Sequence, residues 1–82
     1  MATTEVTLNA AYAKVNTGSD WLIQNVSPAD VEVRIQSSTP TFDENGLILP
    51  QLKTITSAET GAGEVYAKAR NGGHAVVILI EP

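Results

Sequence analysis

The chain has 82 residues, no cysteine, and a formal net charge of -4. A chain this short makes one domain, and without cysteine it has no disulfide and no thiolate chemistry. Its three lysines and two arginines are scattered singly, so there is no basic patch for a phosphate backbone.

Valine, isoleucine and threonine supply 23 of the 82 residues, and these stiff branched side chains suit a pleated sheet. Glu5 to Asn9 is the first predicted strand, and Ala10 to Val15 either continues it or forms a second one carrying Tyr12. A turn follows at Asn16 to Asp20. Trp21 to Val26 is the next strand, with Trp21, Ile23 and Asn25 alternating against Leu22, Gln24 and Val26. Ser27-Pro28-Ala29-Asp30 ends it, because proline presets a turn and cannot donate to a ladder. Val31 to Gln36 alternates most cleanly, Val31, Val33 and Ile35 facing in and Glu32, Arg34 and Gln36 facing water. The short link predicts a β-hairpin between these two strands.

Ser37 to Gly46 reads as a surface loop crossing between sheets, anchored by Phe42. Leu47 to Pro50 predicts a short edge strand, and Leu52 to Thr56 another strand. Ser57 to Gly63 is a flexible bend with room for one helical turn. Glu64 to Ala69 and His74 to Ile80 flank Arg70-Asn71-Gly72-Gly73, where Asn-Gly is the strongest hairpin signal in the chain. The last strand is apolar at six consecutive positions, Ala75 to Ile80. One face would carry Ala75, Val77 and Leu79, the other Val76, Ile78 and Ile80. Such a strand asks for cover on both sides, by the middle of a sandwich or by another copy, and the second is expected. One internal echo stands out: Tyr12-Ala13-Lys14-Val15-Asn16-Thr17-Gly18 resembles Tyr66-Ala67-Lys68-Ala69-Arg70-Asn71-Gly72, as a duplicated strand-to-turn unit would.

The fold expected is all-β, a small antiparallel sandwich or barrel of about 6–8 short strands with an extended N-terminal arm. Residues 1–19 form the arm and first strands, and residues 20–82 the core of a single domain. No apolar run approaches the roughly 20 residues of a membrane helix. Met1-Ala2-Thr3-Thr4-Glu5 lacks the regions of a signal peptide, so a soluble chain outside the general export route is expected.

Chemical motifs are few. His74 is the single histidine and reads as a surface residue opening a strand. Asp43-Glu44-Asn45-Gly46 faintly suggests a calcium loop, but the first and twelfth positions would be Thr41 and Leu52, so key ligands are missing. Gly61-Ala62-Gly63-Glu64 lacks the lysine and hydroxyl of a phosphate loop. The expectation is no catalytic, cofactor or metal site, and no enzyme. Trp21 has two readings, an exposed sugar or interface contact and a large core residue; Tyr12 and Tyr66 are candidates for exposed boundary contacts.

Leu22-Ile23-Gln24-Asn25-Val26-Ser27, the alternating strand after it, Ser38-Thr39-Pro40, and Gly63-Glu64-Val65-Tyr66-Ala67-Lys68-Ala69 together resemble small virion proteins of tailed bacteriophages. In that group a leucine-isoleucine-glutamine-asparagine-x-serine strand precedes a turn, and valine-tyrosine-alanine-lysine-alanine precedes a glycine turn and a final valine-rich strand. The likeness covers most of residues 20–82 and implies a multimerising β-domain on a phage particle. It leaves head decoration, head-fibre base and tail or neck protein open; the leading expectation is a head-decoration (cement) protein, trimeric, with itself and the major capsid protein or another virion protein as partners. Nucleic acid and membrane are not expected as partners. Localisation would be the virion, assembled in the host cytoplasm. The alternative is a receptor- or carbohydrate-binding module on a tail or head fibre. Leu47, Leu49, Val76, Ile78 and Ile80 are the candidate subunit contacts, and a mobile arm, Met1 to Asn9, would add a strand to a neighbour.

Overall fold

A computed structural model describes residues 2–41, 44–61, 63–70 and 73–82. Phe42, Asp43, Ala62, Asn71 and Gly72, used above as anchor, ligand, loop and turn residues, lie outside the described residues, as does Met1. The strands are β1 (Ala2–Leu8), β2 (Ala13–Lys14), β3 (Leu22–Asn25), β4 (Val31–Ile35), β5 (Leu47–Leu49), β6 (Thr54–Thr56), β7 (Val65–Ala69) and β8 (Ala75–Glu81). One short helix, α1 (Ser57–Thr60), sits between β6 and β7. Thr56 starts it with a capping box, its hydroxyl accepting from the Glu59 amide while the Glu59 carboxylate accepts from the Thr56 amide.

Two four-stranded antiparallel sheets pack face to face, in the orders β1-β8-β3-β6 and β2-β7-β4-β5. The core between them is one cluster that includes Leu8, Trp21, Ile23, Val31, Val33, Val65, Val77 and Leu79. Ala67, Ala69 and Ala75 let the backbones of β7 and β8 approach the opposite sheet without large side chains between them. The extended N-terminal arm is present as β1, laid along β8 of its own sheet from Ala2 opposite Glu81 to Leu8 opposite Ala75.

The strands are those the alternation predicts, but their connections differ. β3 and β4 lie in different sheets, so the link through Pro28 is an arch across the sandwich and not a hairpin. The reason is Asn25, fully buried at the end of β3. Its amide nitrogen donates to the carbonyls of Ala29 (2.8 Å) and Leu49 (2.9 Å), and its oxygen accepts from the Ser27 amide (3.0 Å) and hydroxyl (2.7 Å). That network turns the chain out of one sheet and fastens it to β5 of the other. β7 and β8 also lie in different sheets, so they are not a hairpin either. Conversely, β4 and β5 pair directly, so the long polar segment between them joins neighbours in one sheet instead of crossing. Six of the seven links between described strands change sheet.

A second arch depends on Asn16. Its side chain donates to the carbonyls of Gly18 (2.8 Å) and Gly63 (2.9 Å) and accepts from the Val65 amide (2.9 Å). Among the described residues no buried side-chain nitrogen or oxygen lacks a partner. Between β5 and β6, Leu52 adopts a left-handed backbone (φ 65°) that brings its amide to the Asn25 carbonyl at 2.6 Å. The two echoing segments are neighbours: Ala13 stands opposite Ala67, with Lys14 opposite Tyr66 and Lys68 over the Tyr12 ring at 5.0 Å. Equivalent residues therefore meet about a local two-fold.

Asn25→Ala should destabilise the domain by about 2–4 kcal/mol, because it strands two carbonyls and a buried amide. Ser27→Ala, which removes one hydroxyl partner, should cost about 1 kcal/mol. Urea unfolding at neutral pH checks both values and their order.

Candidate interaction surface

The two outer faces of the sandwich have opposite character. On the sheet containing β7 and β4, outward positions carry charges and aromatics that satisfy one another. Lys68 and Glu32 form an ion pair at 3.5 Å with side chains only 12% and 10% exposed. Glu32 also accepts from the Gly46 amide at 3.3 Å, and Arg34 reaches Glu44 at 3.7 Å. Tyr12 covers this region, its hydroxyl donating to the Glu44 carbonyl at 2.9 Å. Burial, reinforced by the Glu32 carboxylate, raises the phenol's pKa; Arg34 opposes the rise. Lys14 pairs with Glu64 at 3.2 Å near Tyr66. Gly46 passes so close that an added Cβ would meet the Val33 backbone at 2.8 Å. The alternating strand Val31–Ile35 thus lacks the wet face its sequence suggests: Glu32 is buried beneath the Tyr12 and Gly46 segments.

The other outer face is aliphatic. β8 sits inside its sheet, with β1 on one side and β3 on the other. Ala75, Val77 and Leu79 are buried against the opposite sheet, while Val76, Ile78 and Ile80 point outward and stay half-buried. Across this face the rows run Thr3–Ile80–Leu22–Thr56 and Glu5–Ile78–Gln24–Thr54, with Thr7 beside Val76 at the next level. Val26 continues the row at Val76, donating its amide to that residue's carbonyl at 3.1 Å. The result is a band of Leu22, Val26, Val76, Ile78 and Ile80 bordered by threonines, with Glu5 as its one described carboxylate. A shallow apolar hollow adjoins it at Trp21, Leu22, Thr56, Ala58, Ile80 and Pro82.

The candidate residues divide accordingly. Val76, Ile78 and Ile80 lie together on this face. Leu47 is 56% exposed at the rim of β5, on the other sheet. Leu49 is corrected: at 4% exposure it belongs to its own core, facing inward beside Val31. Tyr12, Trp21 and Tyr66 are corrected too, since none is exposed; each is at most 6% accessible. Trp21 is a core residue whose indole donates to the Gly63 carbonyl at 3.3 Å. No stacking platform for a sugar is left among these three. Leu22 and Val26 were missed as surface candidates, although their alternation against Ile23 and Asn25 carries that information. His74 is exposed at the start of β8.

Among the described residues no group of three or more His, Asp or Glu side chains is arranged to hold a metal ion. No described helix is long and apolar enough to cross a membrane. Compared with family models, with curated proteins and with solved structures, the chain matches none.

One titratable contact ties the end of β8 to the loop before β3. The Glu81 carboxylate accepts from the Gly18 amide (2.7 Å), the Thr17 hydroxyl (2.8 Å) and the Thr17 amide (3.0 Å). The Gly18 bond, then those from Thr17, hold its pKa below the usual glutamate value. A depressed folded-state pKa means stability that is present above the unfolded value, about 4.3, and lost as pH falls through the folded one. Thermal melts from pH 7 to pH 3 should show an acid loss of stability in the parent chain that is smaller in Glu81→Gln. Parallel curves for the two would remove Glu81 from the acid transition.

Proposed function

We propose that this chain is a self-associating structural module, not an enzyme, and that it serves in a bacteriophage virion as a head-decoration protein. The observation that carries the first half is the aliphatic band on the outer face of β8 and β3, on a molecule whose opposite face pairs its charges internally and leaves Ile48 exposed only at its β5 edge. Bridging subunits of a particle needs apolar area and strand edges, not titratable groups. The second half rests on the sequence resemblance across residues 20–82, and makes another virion protein the surface on which copies assemble in the host cytoplasm.

Magnitudes shape this reading. The 7, 7, 4 and 3 residues of β1, β8, β3 and β6, at about 3.4 Å rise and 4.8 Å strand spacing, give a face of roughly 340 Å². A standard interface takes about 800 Å² from each partner. One such face is therefore a weak contact by itself, and it becomes useful where many copies act together on a particle.

Ile78→Lys tests the self-association. Ile78 stands directly opposite Glu5, so the new ammonium has a cross-strand carboxylate and the fold is retained. It also places a charge at the centre of the band, which should weaken association by tenfold or more. Sedimentation velocity from about 1 to 100 μM should show concentration-dependent association in the parent chain and a smaller species in the variant. A parent chain monomeric throughout that range would overturn the self-association. Mass spectrometry of particles made by the source genome tests the virion assignment separately; absence of the chain from them would overturn that half alone.

A further inference from the structure

We propose that β1 is the site of a symmetric contact between two copies of this chain, strand to strand, antiparallel and centred on Glu5. The four sheet edges of the molecule are unequal. β2 has two residues, β5 has three and is closed by Pro50, and β6 has three and runs straight into α1. β1 has seven, and of these Ala2, Thr3, Thr4, Glu5 and Thr7 are exposed. Alternate residues of such a strand turn their amide and carbonyl groups away from the sheet, where a further strand can pair with them. The common devices that block an edge are proline, charged side chains (lysine above all) and a bulge. β1 contains no proline or lysine and a single carboxylate, Glu5, and its pairing with β8 runs residue for residue without a break.

The strand is built to pair with itself. A two-fold axis normal to the sheet keeps both cores on one side only when outward residues meet outward residues. Centring on Glu5 is the register of this kind that engages all seven positions. It sets Ala2 opposite Leu8, Thr3 opposite Thr7 and Thr4 opposite Val6 of the second copy. Threonine pairs of this sort are favourable across strands. The remaining pair, Glu5 against Glu5, is unfavourable, and solvent screens it in the free dimer. Moving the register by two residues would separate these carboxylates and give up two of the seven pairs.

The consequence deepens the functional reading, resting on it only for what the enlarged face docks against. Two copies joined at β1 share one eight-stranded sheet, with two aliphatic bands on either side of a threonine strip. Its face is roughly 700 Å², close to what one partner gives to a standard interface. The smallest assembled unit is then a dimer, in place of the trimer expected from the sequence.

Glu5→Cys tests the contact in the full chain, which has no other sulfhydryl. Directly opposed residues of an antiparallel pair have Cα atoms about 4.5–5.5 Å apart, within disulfide range of about 4.4–6.8 Å. Mild oxidation should give a disulfide dimer of Glu5→Cys and little from Thr54→Cys on the β6 edge. Equal dimer yields from the two would overturn the contact. Glu5→Gln should dimerise about two- to fivefold more tightly than the parent chain. A mixture of the parent chain with Glu5→Lys should exceed the roughly one-half share of heterodimer expected at random, read by native mass spectrometry. A random mixture would overturn the register. Finally, Thr3→Cys/Thr7→Cys/Ile78→Lys, which keeps Glu5 opposite the new ammonium and sets the two cysteines facing each other across the contact, should still cross-link, which separates the edge from the aliphatic face. Loss of cross-linking in that triple variant would mean the face holds the copies together and would overturn the edge contact.

Discussion

Two buried asparagines hold the places where the chain leaves one sheet for the other, and the architecture follows from them. Asn25 ties the arch after β3 to the carbonyls of Ala29 and Leu49, and Asn16 ties the loop after β2 to Gly18, Gly63 and the start of β7. A hairpin satisfies its backbone locally, through its own ladder. An arch cannot, because its two strands have their partners in different sheets, so the polar groups at the crossing need side chains to meet them. An amide suits this work because it carries donors and an acceptor on one short stem, and it bears no charge to desolvate. The strained leucine at position 52 belongs to the same system: its amide meets the carbonyl of Asn25, and its left-handed backbone is what brings it there.

This explains which parts of the fold are legible in the sequence. Strand positions are, because the two-residue period survives in every long segment; β8 reads as apolar on both faces, and its inner set is the one buried. Connectivity is not. Ser27-Pro28-Ala29-Asp30 and Asn71-Gly72 are turn signals, and a turn signal says that the chain changes direction without saying whether it returns to the same sheet. The deciding residue at the first arch is Asn25, which in the sequence is only one polar residue ending a strand. Likewise, the segment between Ile35 and Leu47 has the length of a crossing, yet β4 and β5 pair as Val31–Leu49 and Val33–Leu47. Burial of polar and aromatic residues is also poorly written in the chain. Glu32 sits at an outward position by alternation, and what buries it is Tyr12 and Gly46 from elsewhere. Leu52 carries no signal for a positive φ, since the residues that usually take that conformation are glycine and asparagine.

The surface residues divide in the same way. Val76, Ile78 and Ile80 follow from the alternation of one strand and are found together on one face. Leu49 does not, because a three-residue edge strand has too few alternations to show which side faces the core. The aromatics err in the opposite direction. Tyr12 and Tyr66 lie at outward positions of their sheet, but the Lys68–Tyr12 contact and the pairing of Lys14 with Tyr66 fold them into a network that water scarcely reaches.

The aliphatic band gains its meaning from comparison with the other face of the same molecule. Both sheets have the same number of strands, the same pleat and similar neighbours, so strand chemistry alone does not require an apolar exterior. On one side the outward rows set Glu32 between Lys68 and Ile48 and place Arg34 beside Tyr66, so the charges pair with one another while Ile48 stays 38% exposed at the edge. On the other side the corresponding rows place Ile80 beside Leu22 and set Ile78 between Glu5 and Gln24, aliphatic side chains with threonines and these two polar residues around them. A chain of 82 residues that can build the first kind of face has no folding reason to build the second. The asymmetry is one of chemistry: one outer face pairs its charges with one another, and the other carries an aliphatic band continuous with the longest open strand edge, the kind of patch that marks a contact surface.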